Sequence, residues 1–174
     1  MDKNIIIGVG NLLFCDDGIG VIAASFLQQN YSFSPELEIL DGGTLGFNLI
    51  DYFVNYDNVF IIDTISTNDE VGSIYKIPSS ELLGTNGYKN TAHEVEVLQM
   101  IEACELYEEK SNITIFAIVP KDIQTTKIGL SEIIKEKFDM LIEELLKNIK
   151  TLGIEVVKKD EVSLEDIIKD FRGE

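Results

Sequence analysis

The chain has 174 residues, 45% of them hydrophobic, and a formal net charge of −17 at pH 7. This length predicts one domain that buries its core without disulfides. The acidic balance excludes nucleic acid, whose phosphates need clustered Lys and Arg, and disfavours anionic membranes. We expect a cytoplasmic protein, because no apolar run is long enough to span a membrane, no signal peptide is recognisable, and two cysteines form no disulfide framework.

Apolar runs alternate with helical patterns along most of the chain. Strands are predicted, in chain order, at residues 4–8, 37–40, 58–63, 71–78 and 112–119. Helices are predicted at about residues 17–29, 45–55, from 91 onwards and at 131–150, with Thr91 and Ser131 as N-caps. Residues 31–35 are predicted to form a loop.

The order of these elements predicts an α/β fold, a three-layer α/β/α sandwich around a mostly parallel, mixed five-stranded sheet. About seven residues separate the third and fourth strands, too few for a crossover helix, so the fourth is expected to be a reversed edge strand. Right-handed crossovers place the second strand on one side of the first and the third on the other. Residues 1–150 are predicted to form this single domain, and 151–174 a charged C-terminal extension on its surface.

One stretch near the start combines a strand, a turn, two carboxylates and a helix. Gly8 and Gly10 suggest a dinucleotide loop, but Leu13 stands where the third glycine of that fingerprint belongs. Asp16 and Asp17 would also repel a phosphate at the helix start. Two carboxylates suit a cation better, although either could simply cap the helix.

Three groups are expected to meet at the carboxyl edge of the sheet: Asp16 or Asp17 after the first strand, Asp63 at the end of the third, and His93 after the fourth. One imidazole and two carboxylates form a ligand set for an open metal site that suits nickel, zinc, iron or cadmium. The alternative interpretation is that His93 is a polar surface residue and Asp63 binds loop amides.

Other catalytic arrangements fit less well. His93 could serve a Ser/His/Asp triad, but no G-x-S-x-G elbow is present, and a single histidine excludes the H-E-x-x-H metalloproteases. Neighbouring carboxylates should raise the pKa of the Cys15 thiol, which argues against a nucleophile. Asp41 and Thr44, after the second strand, could support metal ligands through hydrogen bonds. The residues alone therefore indicate a metal-binding α/β protein whose reaction stays open.

Five motifs in a fixed order carry a resemblance: GVGNLLFCDDGIGV at residues 8–21, DGGTLG at 41–46, DT at 63–64, AHE at 92–94 and GLS at 129–131. Together they resemble the hydrogenase maturation endopeptidases, which process the large subunit of [NiFe]-hydrogenases. The resemblance spans about residues 5–146 and implies that Asp17, Asp63 and His93 are the metal ligands. It also implies a sandwich fold with one reversed strand.

The resemblance further implies that nickel arrives already installed in the large-subunit precursor, the expected partner. The three ligands would recognise it, and a C-terminal extension of the precursor would be cut off; Cd²⁺ or Zn²⁺ could replace nickel in vitro. The peptide bond would be attacked by metal-activated water or by water deprotonated by Asp17, Asp16 or Asp41. The alternative is a non-catalytic, nickel chaperone-like protein with the same ligands.

Overall fold

The computed structural model describes residues 2–82 and 111–174, together with Gln99 and Glu102. Its strands are β1 (Asn4–Val9), β2 (Tyr31–Ser34), β3 (Glu38–Gly43), β4 (Asn58–Thr64), β5 (Ile74–Pro78), β6 (Asn112–Ile118) and β7 (Glu155–Lys158). Its helices are α1 (Ile19–Asn30), α2 (Ile50–Asn55), α3 (Ser79–Leu82), α4 (Glu132–Thr151) and α5 (Leu164–Arg172), with 3-10 turns at Cys15–Gly18 and Gly46–Leu49. Thr91 and His93, in the helix predicted from residue 91, lie outside the described residues.

Five strands form one mixed sheet in the order β3-β1-β4-β6-β5. All neighbours are parallel except β5, which runs antiparallel to β6 at the edge. The predicted sheet is therefore confirmed, including the reversed edge strand and the two opposite crossovers from β1.

Successive side chains of the central strands point to opposite faces of the sheet. Ile6 and Phe60 join a core formed with α1, α4 and α5. Ile5 and Ile61 face the other side, where Phe53 of α2 is buried. The sheet thus has helices on both faces, as a three-layer sandwich requires. No helix among the described residues is both long and apolar enough to span a bilayer.

A glycine contact brings α1 directly against the ends of two strands. A Cβ on Gly20 would lie 2.2 Å from the Val9 carbonyl oxygen and 2.4 Å from that of Ile62. Real Cβ contacts are never this close, so only glycine fits. The residues that precede α1, including both aspartates, are therefore held close to the carboxyl ends of β1 and β4.

Three local predictions were wrong. Residues 31–35 were expected to form a loop, but β2 pairs antiparallel with β7, a partner more than a hundred residues away. The first helix begins at Ile19, after a 3-10 turn, and not at Asp17. The second helix was predicted from residue 45, but a 3-10 turn occupies Gly46–Leu49, α2 begins at Ile50, and Leu45 is 48% exposed.

The C-terminal segment 151–174 is packed onto the domain. β7 completes the small sheet with β2, and Ile167 and Ile168 of α5 are fully buried in the same core as α1 and α4. The expectation of a surface appendage was wrong. The apolar residues of α5 stand between charged residues, so the sequence alone does not show that Ile167 and Ile168 are completely covered.

Candidate active site

The candidate site lies at the carboxyl edge of the parallel strands. The loops after β1 and β3 are joined there by a hydrogen bond from the Gly10 backbone N–H to the Gly43 carbonyl, 2.9 Å long. Asp17 follows the end of β1, Asp63 is the next-to-last residue of the neighbouring strand β4, and each is only 5% exposed. We call this edge of the sheet, where the strand order predicted the site, the crevice; it contains two largely buried carboxylates.

Asp17 and Asp63 share a neighbour, Thr64. The Thr64 backbone N–H donates to Asp63 Oδ1 at 2.7 Å, and the Thr64 hydroxyl lies 3.5 Å from Asp17 Oδ1. Asp17 Oδ2 also accepts a hydrogen bond from the Asn11 backbone N–H at 3.0 Å. The sequence analysis assigned Thr64 no role. Its position directly after Asp63, at the end of a buried strand, was the feature that could have indicated a contact with the site.

Asp16 has a different role. Its side chain is fully buried and accepts backbone hydrogen bonds from Lys121 at 3.0 Å, Asp122 at 2.9 Å and Ser131 at 2.6 Å. The Ser131 hydroxyl donates a fourth, at 2.9 Å. Because donors from another loop surround both of its oxygens, Asp16 is not suited to be the base that the sequence left open.

The helix-cap interpretation of the two aspartates was also wrong. No side chain caps either the 3-10 turn or α1. Ser131 does stand at the N-cap position of α4, as predicted, but makes no side-chain cap bond there. Its hydroxyl binds Asp16 instead, so a residue that reads as a local cap forms a long-range cross-link.

Residues 120–131, which we call the anchor loop, run alongside the segment before Asp17. The Cys15 backbone N–H donates to the Lys127 carbonyl, and the Lys127 N–H donates to the Leu13 carbonyl, each at 2.9 Å. Within this loop, hydrogen bonds from the Thr125 side chain and from the backbone N–H groups of Thr125 and Gln124 lower the pKa of Asp122 to about 2. The anchor loop is therefore internally braced as well as attached to the candidate site.

Cys15 is not prepared to act as a nucleophile. Burial raises the pKa of its thiol most, and the negative charges of Asp16 and Asp122 raise it further. The predicted direction is confirmed, with burial as the larger cause. A thiol that stays protonated is a poor nucleophile.

The remaining predicted site residues are only partly accounted for. Asp41 and Thr44 are exposed, and Asp41 Oδ1 accepts the Gly43 N–H at 3.0 Å, closing a local turn. His93 lies outside the described residues, so the predicted ligand set is described only for its two carboxylates. Among residues 2–82 and 111–174, no three His, Cys, Asp or Glu side chains form a group that could hold a metal ion.

Apolar side chains surround this edge of the sheet. Leu13 and Phe14, after β1, are 53% and 36% exposed, and Leu45, after β3, is 48% exposed. The loops after β1 and β3 thus carry exposed apolar side chains beside the two buried carboxylates.

A family model for hydrogenase maturation proteases matches residues 21–148 of the chain. The chain belongs to this family. The prediction made from the motifs is thereby confirmed, and the protein is a peptidase that acts in hydrogenase maturation.

Two curated relatives match this chain over nearly their whole length. The hydrogenase 2 maturation protease of Escherichia coli is 26% identical over 91% of this chain and 97% of the relative. A putative hydrogenase maturation protease of Methanocaldococcus jannaschii is 30% identical over 84% of this chain and 96% of its own. The similarity therefore concerns whole proteins and not a shared fragment.

Solved structures agree with the fold. The solution structure of an endopeptidase from Escherichia coli superposes with a TM-score of 0.81 at 28% identity, covering 90% of this chain and 98% of that one. A hydrogenase maturating endopeptidase from the same organism gives 0.80 at 24% identity, with the same coverage. The three-layer sandwich with its reversed edge strand is thus the fold of known endopeptidases.

Proposed function

We propose that this endopeptidase removes a C-terminal extension from a nickel-loaded [NiFe]-hydrogenase large-subunit precursor. Asp17, Asp63 and His93 bind the nickel that the precursor carries, so the metal belongs to the substrate. The observation that carries the proposal is the meeting of Asp17 and Asp63 at Thr64, between two strand ends, with little exposure of either carboxylate.

The chemistry of these groups supports a cation in the crevice. Two carboxylates brought close in a largely buried place repel each other unless an opposite charge or hydrogen bonds compensate them. Oxygen ligands and one imidazole suit a borderline ion such as Ni²⁺ and leave coordination positions for groups of the precursor. The chain's net charge of −17 also favours approach of a cation-bearing partner.

Hydrolysis requires a water molecule to lose a proton as it attacks the scissile carbonyl. Asp17 is the carboxylate we propose for this step, either by taking the proton or by holding the nickel that acidifies the water. Asp16 is occupied by the anchor loop, and Asp41 closes an exposed turn. Asp17→Glu keeps both abilities, whereas Asp17→Asn keeps an oxygen ligand and cannot take a proton.

The decisive experiment is a cross between metal-free and metal-loaded partners. Metal-free protease is mixed with nickel-loaded precursor, and metal-loaded protease with nickel-free precursor, and mass spectrometry measures the large subunit's C-terminus. We expect truncation only in the first mixture. Truncation only in the second would identify an ordinary metalloprotease and overturn the substrate-borne nickel.

Membership in a protease family argues against the non-catalytic alternative, a nickel chaperone-like protein with the same ligands. The same cross separates the two. A chaperone would bind or transfer the ion in both mixtures and leave the precursor's mass unchanged.

A further inference from the structure

The end of the chain is tied to the anchor loop by a specific contact. Arg172, in the last turn of α5, donates from Nε to the carbonyl oxygen of Ile128 at 2.9 Å. A Cβ on the next residue, Gly129, would lie 2.8 Å from an Arg172 guanidinium nitrogen. The guanidinium therefore lies directly against the loop backbone, and any side chain at position 129 would displace it.

Other contacts fix α5 in the place from which Arg172 reaches the loop. Ile167 and Ile168 are fully buried in one core with Leu130 of the anchor loop. Glu165, at the other end of α5, forms a 2.6 Å ion pair with Lys135 of α4. Upstream of the helix, the Val162 backbone N–H donates to the Asn30 side chain at 2.7 Å, which attaches the segment to α1.

The anchor loop in turn holds the residue beside Asp17. Three residues after Ile128, Ser131 donates to Asp16 through both its backbone N–H and its hydroxyl. Asp16 and Asp17 lie in the same 3-10 turn, Cys15–Gly18, so the position of one carboxylate sets that of the next. An unbroken series of contacts thus connects Arg172 with Asp17.

We propose that Arg172 is a positioning residue for peptide-bond cleavage, acting through the anchor loop and Asp16 on the carboxylate of Asp17. The proposal gives a role to a residue of the segment 151–174, all of which lies beyond the part of the chain that the family model matches. It rests on the proposed function only in taking Asp17 as a residue of the site.

The test measures precursor cleavage by Arg172→Ala in the full-length protein. Small displacements of a reacting group cost large factors in rate, and we expect kcat to fall roughly tenfold with KM nearly unchanged. Arg172→Lys, which can still donate to the Ile128 carbonyl, should recover part of the loss. Lys169→Ala is the matched control, because it removes the same charge from the same helix turn but pairs only with Asp166 among the described contacts.

A double-mutant cycle separates positioning from general destabilisation. Ser131→Ala removes a hydroxyl from the same series of contacts, so its effect on kcat and that of Arg172→Ala should be less than additive. Rates are expressed per folded molecule, from circular dichroism at the assay temperature. The proposal is overturned if Arg172→Ala equals Lys169→Ala, or if its loss disappears after that correction.

The outcome can be read independently of nickel. If the wild-type protease cleaves the precursor with or without nickel, the nickel proposal fails, while the ratio of variant to wild-type kcat still reports on Arg172. If cleavage requires nickel and the ratio is one, the nickel proposal stands and the role of Arg172 is refuted.

Discussion

Two adjacent carboxylates in this protein have opposite surroundings. Asp16 turns toward the anchor loop and accepts hydrogen bonds from residues 105 to 115 positions away. Asp17 turns toward the strand ends, where the contacts named above come from Asn11 and Thr64. One side of the 3-10 turn holds two loops together, and the other faces the crevice.

The comparison teaches that burial alone does not identify a site residue. Both side chains are almost inaccessible, at 0% and 5% exposure. What separates them is the source of their partners: backbone N–H groups of a distant loop make Asp16 a cross-link, whereas Asp17 shares Thr64 with another carboxylate. Variants on each side should therefore fail in different ways.

The largest effect is expected on the crevice side, from Asp63→Asn. The amide keeps an oxygen that can accept the Thr64 N–H, so folding should be preserved, but the negative charge that binds the nickel is lost. We expect cleavage to fall by roughly 10³-fold or more, with melting within a few degrees of wild type. If the variant does not fold, Asp63 is structural and belongs with Asp16.

On the anchoring side, Asp16→Asn should affect stability first. An Asn side chain turns one acceptor oxygen into a donor, which then meets the backbone N–H groups of Lys121 and Asp122 or that of Ser131. We expect a loss of about 3 kcal/mol, seen as a fall in melting temperature of roughly 6–12 °C. Asp17→Asn serves as the control, and an equal fall there would erase the distinction between the neighbours.

A smaller effect on the crevice side is expected from Thr64→Val. The variant keeps the shape and the backbone N–H to Asp63 but removes the hydroxyl near Asp17. A weak hydrogen bond to a carboxylate is worth about 1 kcal/mol, or roughly fivefold in kcat/KM. Thr64→Ser retains the hydroxyl and should behave like wild type; a loss shared by both variants would point to packing instead.

The smallest effect is expected at Glu165 of α5, the helix from which Arg172 contacts the anchor loop. The hydrogen bond from Lys135 is the main cause that lowers the pKa of Glu165 below its ordinary 4.5. Such a pair stabilises the fold above that value, and its contribution disappears as pH falls through the lowered pKa. Glu165→Gln should therefore cost less than about 1 kcal/mol at neutral pH, because solvent screens the pair.

Urea titrations at several pH values can measure the difference in the free energy of unfolding between wild type and Glu165→Gln. This difference should shrink to zero in acid. A difference that stays constant down to about pH 3 would show that the ion pair with Lys135 is not its source.

The sequence predicted what repeats regularly along the chain. Apolar runs and helix periodicity gave the five-stranded sheet, and the short link before β5 gave its reversed direction. The motifs around Asp17 and Asp63 gave the family, and strand order placed both carboxylates at one edge.

Long-range partners could not be predicted in this way. The pairing of β2 with β7 and the contacts from Ser131 to Asp16 join residues more than a hundred positions apart. Ser131 has the local pattern of a helix cap, and β2 is only four residues long, so neither carries a local signal of its partner. The site prediction therefore grouped Asp16 with Asp17, although only the packing of the anchor loop distinguishes them.

The span of the Asp16 contacts has a consequence for synthesis of the chain. Ser131 must leave the ribosome before the 3-10 turn that carries Asp17 can receive the hydrogen bonds from Ser131 to Asp16. Contacts this far apart in sequence form late, because their loop closure must first be compensated by other structure. A chain that ends before Ser131 thus contains every residue of the first motif but lacks the hydrogen bonds from Ser131 that help to fix Asp16 in the folded protein.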